Sequence, residues 1–327
     1  MNAQLTRSGT TVSASREDIV AAIGAGQFFW LDLDDGDPND GDAVDLLLHT
    51  FHFHPLAVED AEHFGQRPKL DEYDGFDYLV AHGAAPDGAC TIEVHLFITG
   101  KYVVTVHRGH VDALDDVRER IGRHPATDGA PPQIILTYLI VDSLTDTFFP
   151  ALSTFDDKVD TLETQILARP TEEQLDVIFQ MKRTLMAIRK VVTPQRDMFA
   201  AVTSGAVEVP GMTDESARYF RDLYDHLIRI SDLVDSYRDL LSGVMDTHIS
   251  TVSNRLNVVM KQLTIIATIF LPLSFLTGFF GQNFGWLVVR ITGFWAFMVW
   301  GIGLELVAVA LLYVLFKRRG WLGGPAE

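Results

Sequence analysis

Two long apolar segments near the C-terminal end constrain this chain more than any other feature. The first, at residues 263–281, contains no charged side chain, and the second, at residues 294–316, contains only Glu305. A helix needs about 20 apolar residues to cross the hydrocarbon core of a bilayer. We therefore predict two transmembrane helices at these positions, joined by a short outer loop at residues 282–293.

The residues after the second segment predict its orientation. Lys317, Arg318 and Arg319 follow it directly, and basic clusters beside a span are retained on the cytoplasmic side. The basic tail, residues 317–327, and everything before the first span are therefore predicted to be cytoplasmic, in a multi-pass protein of the inner or plasma membrane. Residues 1–18 are polar, so no signal peptide is expected.

Charge is distributed unevenly along the chain. Residues 1–257 contain 21 basic and 42 acidic side chains, whereas residues 258–327 contain five basic and two acidic ones. Such an acidic soluble part repels nucleic acid and attracts cations, so we expect no nucleic-acid partner. Cys90 is the single cysteine, so no internal disulfide can form.

The part before the first span is predicted to have three sections. Residues 1–130 mix short strand and helix patterns, which indicates a cytosolic α+β domain with a small sheet and helices. Residues 131–212 have apolar residues at helical spacing and are predicted to form a cytosolic helical hairpin. Residues 213–262 are predicted to form a stalk helix.

Local signals predict where several helices begin and end. Asp42 is placed to cap the first turn of a helix that ends near Phe51. One helix is predicted from Ile134 to Ala168. The next is expected to run toward Val192 and to be perturbed by Pro194, because proline removes a helical hydrogen bond.

The stalk helix is predicted to continue directly into the first span. Between Thr213 and Phe280 the only proline is Pro272, and no paired glycines occur. At ~1.5 Å per residue such a helix would be about 100 Å long. This length exceeds what a globular domain needs, and it favours a helix that connects a soluble part to the membrane.

One side of the first span is mostly small or polar. Two rows at heptad spacing form this side: Asn257, Thr264, Leu271 and Gly278, and Met260, Ala267, Ser274 and Gly281. Small residues on a membrane helix can mark close helix packing or can line a pore. Asn257 favours the pore, since an amide in a span faces a partner or water. Two spans cannot enclose a water-filled path, so a pore requires several copies of the chain.

Several segments together resemble one family. Between the spans, Gly281-Gln282-Asn283 is similar to the Gly-Met-Asn signature of the CorA family of divalent-cation (magnesium, cobalt) transporters. Further segments match the family in the same order: His54-Pro55-Leu56, Glu59-Asp60, Gln66-Arg67-Pro68-Lys69, residues 219–226 and residues 257–273. The resemblance covers nearly the whole chain.

The resemblance implies a homopentameric, funnel-shaped protein whose long helices line the pore. Asn283 would form a ring at the outer mouth that holds a hydrated cation. Mg²⁺ is the expected ion, with Co²⁺ or Ni²⁺ as further substrates, because Mg²⁺ gives up its water reluctantly and amide oxygens can bind that hydration shell. The residues that line the pore are, by matching position or by their place on the stripe, Asn257, Met260, Leu263, Thr264, Leu271, Ser274 and Gly278.

The resemblance also implies regulation by cytosolic divalent cations. Asp87 and Asp222 match a pair that binds a regulatory ion between neighbouring subunits, and Asp246 matches a carboxylate near the cytosolic end of the pore. An ion that bridges facing carboxylates favours the closed state, because it binds that state better. The cation is thus substrate and regulator, no prosthetic group is expected, and the partners are other copies of the chain and the lipid bilayer.

Departures from the family leave alternatives open. Gln282 replaces the signature methionine, and residues 284–290 contain one basic and no acidic side chain, whereas this loop is often acidic in the family. A ZntB-like zinc transporter and a non-conducting membrane-anchored sensor are therefore alternatives. Glu305 is interpreted as a packed, protonated or hydrogen-bonded carboxyl rather than as a coupling site. An enzyme is not expected, because the sequence shows no phosphate-binding glycine loop and no activated nucleophile.

Overall fold

The computed structural model describes residues 2–36, 41–86, 90–123, 130–282, 284–290 and 293–321. The chain divides into two compact units, Met1–Asp246 and Thr247–Glu327. The first unit contains a sheet covered by helices, and the elements described in the second unit are all helices.

The described residues of the first unit contain seven strands in one sheet. The strands are β1 (Asn2–Arg7), β2 (Thr10–Ser13), β3 (Phe29–Asp34), β4 (Lys69–Tyr73), β5 (Phe76–Ala84), β6 (Thr91–Ile98) and β7 (Tyr102–His107). Their order is β2-β1-β3-β7-β6-β5-β4. Only β3 and β7 are parallel neighbours, and the other neighbouring pairs are antiparallel. The sheet is larger than the small sheet that the sequence predicts.

Helices alternate with the strands up to β4, and all elements after β7 are helices in the described residues. Those of the first unit are α1 (Arg16–Ala25), α2 (Asp42–Asp45, continued by a π-helical turn at Leu46–Thr50), α3 (Pro55–Glu62), α4 (Asp112–Arg123), α5 (Pro132–Asp146), α6 (Phe148–Ala168) and α7 (Glu172–Thr203). Helix α8 (Ser216–Phe280) begins in the first unit and ends in the second. The second unit also contains α9 (Gly285–Arg290), α10 (Phe294–Ala296, continued by a π-helical turn at Phe297–Gly303) and α11 (Leu304–Arg318).

Alternate side chains of the central strands enter two different cores. Leu79 and Leu96 pack in a core that includes residues of α4 to α8. Their neighbours Val80 and Phe97 pack in a second core that includes residues of α1 and α3. Successive side chains of a strand point to opposite faces, so these strands are apolar on both faces and the sheet lies between two helical layers.

Strand β4 pairs with the first part of β5, and helices α5 and α7 lie against the edge of the remaining part. The backbone N–H of His82 donates to Oε1 of Gln195 at 2.8 Å, so an α7 side chain takes the place of a neighbouring strand. A Cβ added at Gly83 would lie 2.8 Å from the carbonyl oxygen of Leu144. Gly83 is therefore required for the close approach of α5 to the sheet.

The single helix predicted from Ile134 to Ala168 is wrong, because it is divided at Thr147. The Thr147 hydroxyl donates to the Leu144 carbonyl at 2.5 Å and accepts from the Ala84 N–H at 2.7 Å. Pro150 lies in the first turn of α6, where its missing N–H costs no helical bond. The break thus attaches the helices to β5.

Two further local predictions are wrong. Helix α7 does not end near Val192 but passes Pro194 and continues to Thr203. Gln195, on the next position, is fully buried, and packing of this face offsets a proline cost of about 3 kcal/mol. Asp42 is the first helical residue rather than the cap, which is Gly41 in a left-handed conformation.

The long helix is confirmed. Helix α8 begins at Ser216, where Thr213 and Ser216 exchange hydrogen bonds: the Ser216 N–H donates to Thr213 Oγ1 at 3.2 Å and the Thr213 N–H donates to Ser216 Oγ at 2.8 Å. It continues for 65 residues through Pro272, which corresponds to about 98 Å at ~1.5 Å per residue.

Three helical segments of the described chain are long and apolar enough to span a membrane: Pro132–Ala168, Ser216–Phe280 and Phe294–Arg318. The apolar part of the first is mostly buried within its own unit, whereas those of the other two are 0% and 6% buried. The first is accounted for by the core of the first unit. The second of these segments ends with the apolar stretch predicted at residues 263–281, and the third contains the one predicted at residues 294–316.

Candidate cation sites

A cluster of side chains that could bind a cation lies between α5 and α8 in the first unit. Asp142 and Asp146 are one turn apart on α5, and Asp222 and His226 are one turn apart on α8, so each pair occupies one helix face. Ligand atoms of Asp142, Asp146 and His226 all lie within 4.8 Å of one another. Side chains of two helices therefore meet in this cluster.

The imidazole of His226 is the centre of this cluster. Its Nδ1 lies 3.7 Å from Oδ1 of Asp142 and 3.6 Å from Oδ1 of Asp146, and its Nε2 lies 4.0 Å from Oδ1 of Asp222. On the other side of Asp142, Nη1 of Arg120 donates to Oδ2 at 3.2 Å. One oxygen of Asp142 is thus occupied by Arg120, and the other faces the histidine.

Two buried polar atoms of the cluster lack a hydrogen-bond partner among the described residues. These atoms are Oδ1 of Asp142 and Nδ1 of His226. Burial is the largest cause that raises the pKa of Asp142, which Arg120 partly opposes. Burial, followed by the charge of Asp142, also raises the pKa of Asp146. The negative charge of this site is therefore incompletely compensated, and a bound cation would compensate it.

The donor set suits divalent cations. Carboxylate oxygens are the ligands of Mg²⁺, whereas an imidazole nitrogen favours Co²⁺, Ni²⁺ or Zn²⁺. Asp146 and Asp222 are exposed over 52% and 59% of their side chains, so a hydrated ion can reach them. Asp142 is 5% exposed and would contribute from the protein side.

The predicted regulatory carboxylates have different positions. Asp222 lies beside the cluster. Asp246 is exposed on α8, at the last position of the first unit. Asp87 lies outside the described residues. The regulatory roles of these three residues stay predictions.

Sequence reasoning missed Asp142, Asp146 and His226 as ligands. Both carboxylates lie within an apolar helix, where they do not stand out, and His226 was part of a family segment without a role of its own. The available signal was the spacing: one acidic pair and one Asp–His pair, each separated by four residues on a predicted helix.

The predicted pore stripe lies on the exposed surface of α8 in the single chain. Asn257, Thr264, Ser274 and Gly278 are exposed, and so are Met260 and Leu263 (59% each) and Leu271 (74%). The Thr264 hydroxyl donates to the Met260 carbonyl of the same helix at 2.7 Å. These residues share one side of the helix, and their place in a pore stays a prediction.

The signature segment follows the end of α8. The Gly281 N–H donates to the Thr277 carbonyl at 2.9 Å, and the Gln282 N–H donates to the Phe279 carbonyl at 3.3 Å. A Cβ at Gly281 would lie 3.1 Å from the Thr277 oxygen, which explains why glycine fits this tight helix end. Asn283 lies outside the described residues, so its predicted role has no structural description.

Glu305 is the second residue of α11. Helix α11 directly follows the π-helical turn at Phe297–Gly303, and Glu305 is half-buried in the single chain. Its interpretation as a packed carboxyl stays a prediction.

A family match decides the identity of this chain. The family model described as "CorA-like Mg2+ transporter protein" matches residues 25–318. The chain belongs to the CorA family of divalent-cation transporters. CorA-family proteins are membrane transporters rather than enzymes, as the sequence predicts.

Individual relatives agree with the CorA family. The chain is 35% identical over 286 residues to the cobalt/magnesium transport protein CorA of Thermotoga maritima, with 86% of this chain and 80% of that protein covered. It is 28% identical over 233 residues to the zinc transport protein ZntB of Cronobacter sakazakii, with 71% and 66% covered.

A solved structure confirms the CorA fold. The CorA magnesium transporter from Methanocaldococcus jannaschii superposes with a TM-score of 0.82 at 20% identity, over 98% of this chain and 99% of that chain. The predicted fold class is confirmed: a sheet with helices, a long helix and C-terminal apolar helices.

Proposed function

We propose that this chain forms a homopentameric channel that conducts hydrated divalent cations, with Mg²⁺ as the main substrate and Co²⁺ as a further one. The supporting observation is the family match over residues 25–318, together with the greater similarity to a cobalt/magnesium transport protein than to a zinc transport protein. Several copies are needed because two spans per chain cannot enclose a pore.

The proposed topology has two spans with both termini in the cytoplasm. Residues 1–130, 131–212 and 213–262 form the cytosolic sections, residues 263–281 and 294–316 cross the membrane, and residues 282–293 form the outer loop. The basic tail at residues 317–327 supports this orientation. Almost none of the residues in these two apolar segments is buried in the single chain, which supports their contact with lipid or with other copies.

The proposed ion path follows the small and polar side of α8. Copies of Asn257, Thr264, Ser274 and Gly278 would line it, and Met260, Leu263 and Leu271 would form apolar constrictions that close by dewetting. At the outer mouth, amide oxygens of Asn283 would bind the hydration shell of the ion, and Gly281 and Gln282 would position that loop. A neutral ring binds a divalent ion weakly enough to release it.

Regulation is proposed to act through the α5–α8 cluster. Asp142, Asp146 and His226 would bind a cytosolic divalent cation together with Asp222, and Asp87 of a neighbouring copy would complete the site. The incompletely compensated charge at Asp142 supports this role. Binding would favour the closed state if the ion binds that state better.

A ZntB-like zinc transporter is the second candidate function. Gln282 in place of methionine and the absence of acidic residues in the sequence 284–290 favour it. A non-conducting sensor would contain the same cation cluster without ion flux.

Ion flux into liposomes tests the proposal and separates the three functions. The purified protein should admit Mg²⁺ and Co²⁺ in preference to Zn²⁺, and Asn283→Ala should reduce Mg²⁺ flux by at least tenfold. Thr277→Ala is the matched control, because its hydroxyl bonds back to Leu273 of its own helix. Preference for Zn²⁺ would favour the second candidate, and no flux of any cation would favour the sensor.

A further inference from the structure

A second pair of carboxylates lies on the β4–β5 hairpin, apart from the α5–α8 cluster. Glu72 of β4 is directly opposite Asp77 of β5 in the strand register. Directly opposite residues have Cβ atoms about 4.5–5.5 Å apart, and like charges there destabilise the pair. Glu72 is exposed, whereas Asp77 is only 6% exposed. The register therefore places a buried acid next to another acid.

Nothing in the described part of the chain neutralises the Asp77 carboxylate. No hydrogen bond or ion pair with a described residue reaches it. Burial is the first influence on it and Glu72 is the second, and both oppose ionisation. On the opposite face of β4, Lys69 pairs with Asp60 and Asp71 and is therefore engaged elsewhere.

Among the described residues, Glu72 is the one charged group that shifts the pKa of Asp77, and no basic side chain lowers it. On β6, the residue paired with Asp77 is Ile98, which is buried and apolar. The residues that α6 and α7 bury in this core are uncharged, with Gln195 as the polar exception. Helix α5 buries Asp142, which already accepts a hydrogen bond from Arg120.

A buried carboxylate without a partner is costly when ionised and takes up a proton instead. Burial, and then Glu72, raise the pKa of Asp77 to about 6. Between its ordinary pKa of 3.8 and this value, the folded hairpin binds more protons than the unfolded chain does. The stability of the hairpin is therefore greatest on the acidic side, falls as the pH rises toward 6, and stays low above it.

We propose that Asp77 holds a proton beside Glu72 and that loss of this proton loosens the β4–β5 hairpin as the pH rises from 5 to 7. Strand β4 is at the edge of the sheet and has one neighbouring strand, so it can separate without disrupting the remaining strands. Asp77 thus makes the stability of the β4–β5 hairpin in the first unit depend on pH. This effect does not depend on ion conduction.

Hydrogen–deuterium exchange of the full-length protein tests the pH-dependent stability of the β4–β5 hairpin. Peptides that cover residues 69–80 should be at least fivefold more protected at pH 5.0 than at pH 7.5, after correction for the intrinsic exchange rates. Asp77→Asn has the same shape without the charge and should give the same high protection at both pH values. Peptides from β6 should show no such change and serve as the internal reference.

Two further variants keep the test decisive. Glu72→Gln should shift the transition to lower pH, because it removes the like charge but not the burial. Asp71→Asn changes a carboxylate on the opposite face of β4 and should retain the wild-type pH response. An unchanged pH response in Asp77→Asn would overturn the proposal. The proposal would also be overturned if Mg²⁺ raised the protection of residues 69–80 in the wild-type protein at pH 7.5 but had no effect on Asp77→Asn. The charge of Asp77 would then be balanced by a metal ion rather than by a proton.

Discussion

The two ends of helix α8 differ in how they are buried. In the first unit, Leu223 and Leu227 of α8 are completely buried in the core. In the second unit, Leu271 and Phe275 of the same helix are 74% and 69% exposed. A single chain thus completes the packing of the first unit, whereas the apolar surface of the second must be covered by lipid or by further copies. The cation cluster belongs to the first kind of region, and the proposed pore belongs to the second.

Deletion of the second unit gives the largest expected effect. A protein consisting of residues 1–246 should neither associate with membranes nor conduct ions. It should still unfold cooperatively, with a free energy of unfolding in the usual range of about 5–15 kcal/mol, because its core is complete without the spans. Urea unfolding followed by circular dichroism measures this. A fragment without a cooperative transition would show that the two regions depend on each other.

A pair of equal substitutions compares the two regions directly. Leu227→Ala removes a completely buried side chain and should lower the free energy of unfolding of the 1–246 protein by about 3 kcal/mol. Leu271→Ala removes a side chain that is 74% exposed in the single chain. Leu271→Ala should change the ion flux of the full-length protein and should leave its melting temperature nearly unchanged. Equal losses of stability in both variants would contradict the distinction.

Metal-dependent stability tests whether the first unit alone forms a cation site. At a Co²⁺ concentration 100-fold above the dissociation constant, binding contributes about 2.7 kcal/mol, which raises the melting temperature by roughly 5–10 °C for a protein of this size. His226→Ala should remove most of this increase. Asp239→Asn is the control, since this exposed carboxylate on α8 pairs with the adjacent Arg238 and lies outside the cluster. A full increase in His226→Ala would exclude the imidazole as a ligand.

The pH dependence of Co²⁺ binding gives the smallest expected effect. Burial raises the pKa values of Asp142 and Asp146 above 3.8, so protons compete with the metal at higher pH than at ordinary carboxylates. Calorimetry should show an affinity that falls about threefold or more from pH 7.5 to pH 5.5. The stability of the metal-free protein changes with pH in the opposite direction to its Co²⁺ affinity. Because the folded state binds more protons than the unfolded chain, this stability falls as the pH rises above 3.8. An affinity that does not change with pH would contradict the assignment of these carboxylates.

Much of the fold could be predicted where the signal is local and strong. The long helix was predicted from the absence of helix breakers between Thr213 and Pro272, and hydrogen bonds between Thr213 and Ser216 form its start. Helix ends that depend on packing were mistaken: α7 continues past Pro194 because Gln195 is buried on β5.

The cation cluster was less accessible to sequence reasoning than the pore. Asn257 and the stripe at heptad spacing lie on one helix, so their periodicity can be read directly. Asp142 and His226 are separated by more than eighty residues, and only the packing of α5 on α8 brings them within 3.7 Å. Glu72 and Asp77 are close in the sequence, but the burial that distinguishes Asp77 depends on the helices that cover the sheet.

The sequence by itself determined the membrane-spanning character, the long helix and the family, because apolar length, helical continuity and short motifs are properties of consecutive residues. Only the tertiary structure decided which acidic side chains are buried and which meet a histidine. Burial and proximity arise when distant segments pack together, and the sequence of any one segment does not contain the dielectric environment that its neighbours create.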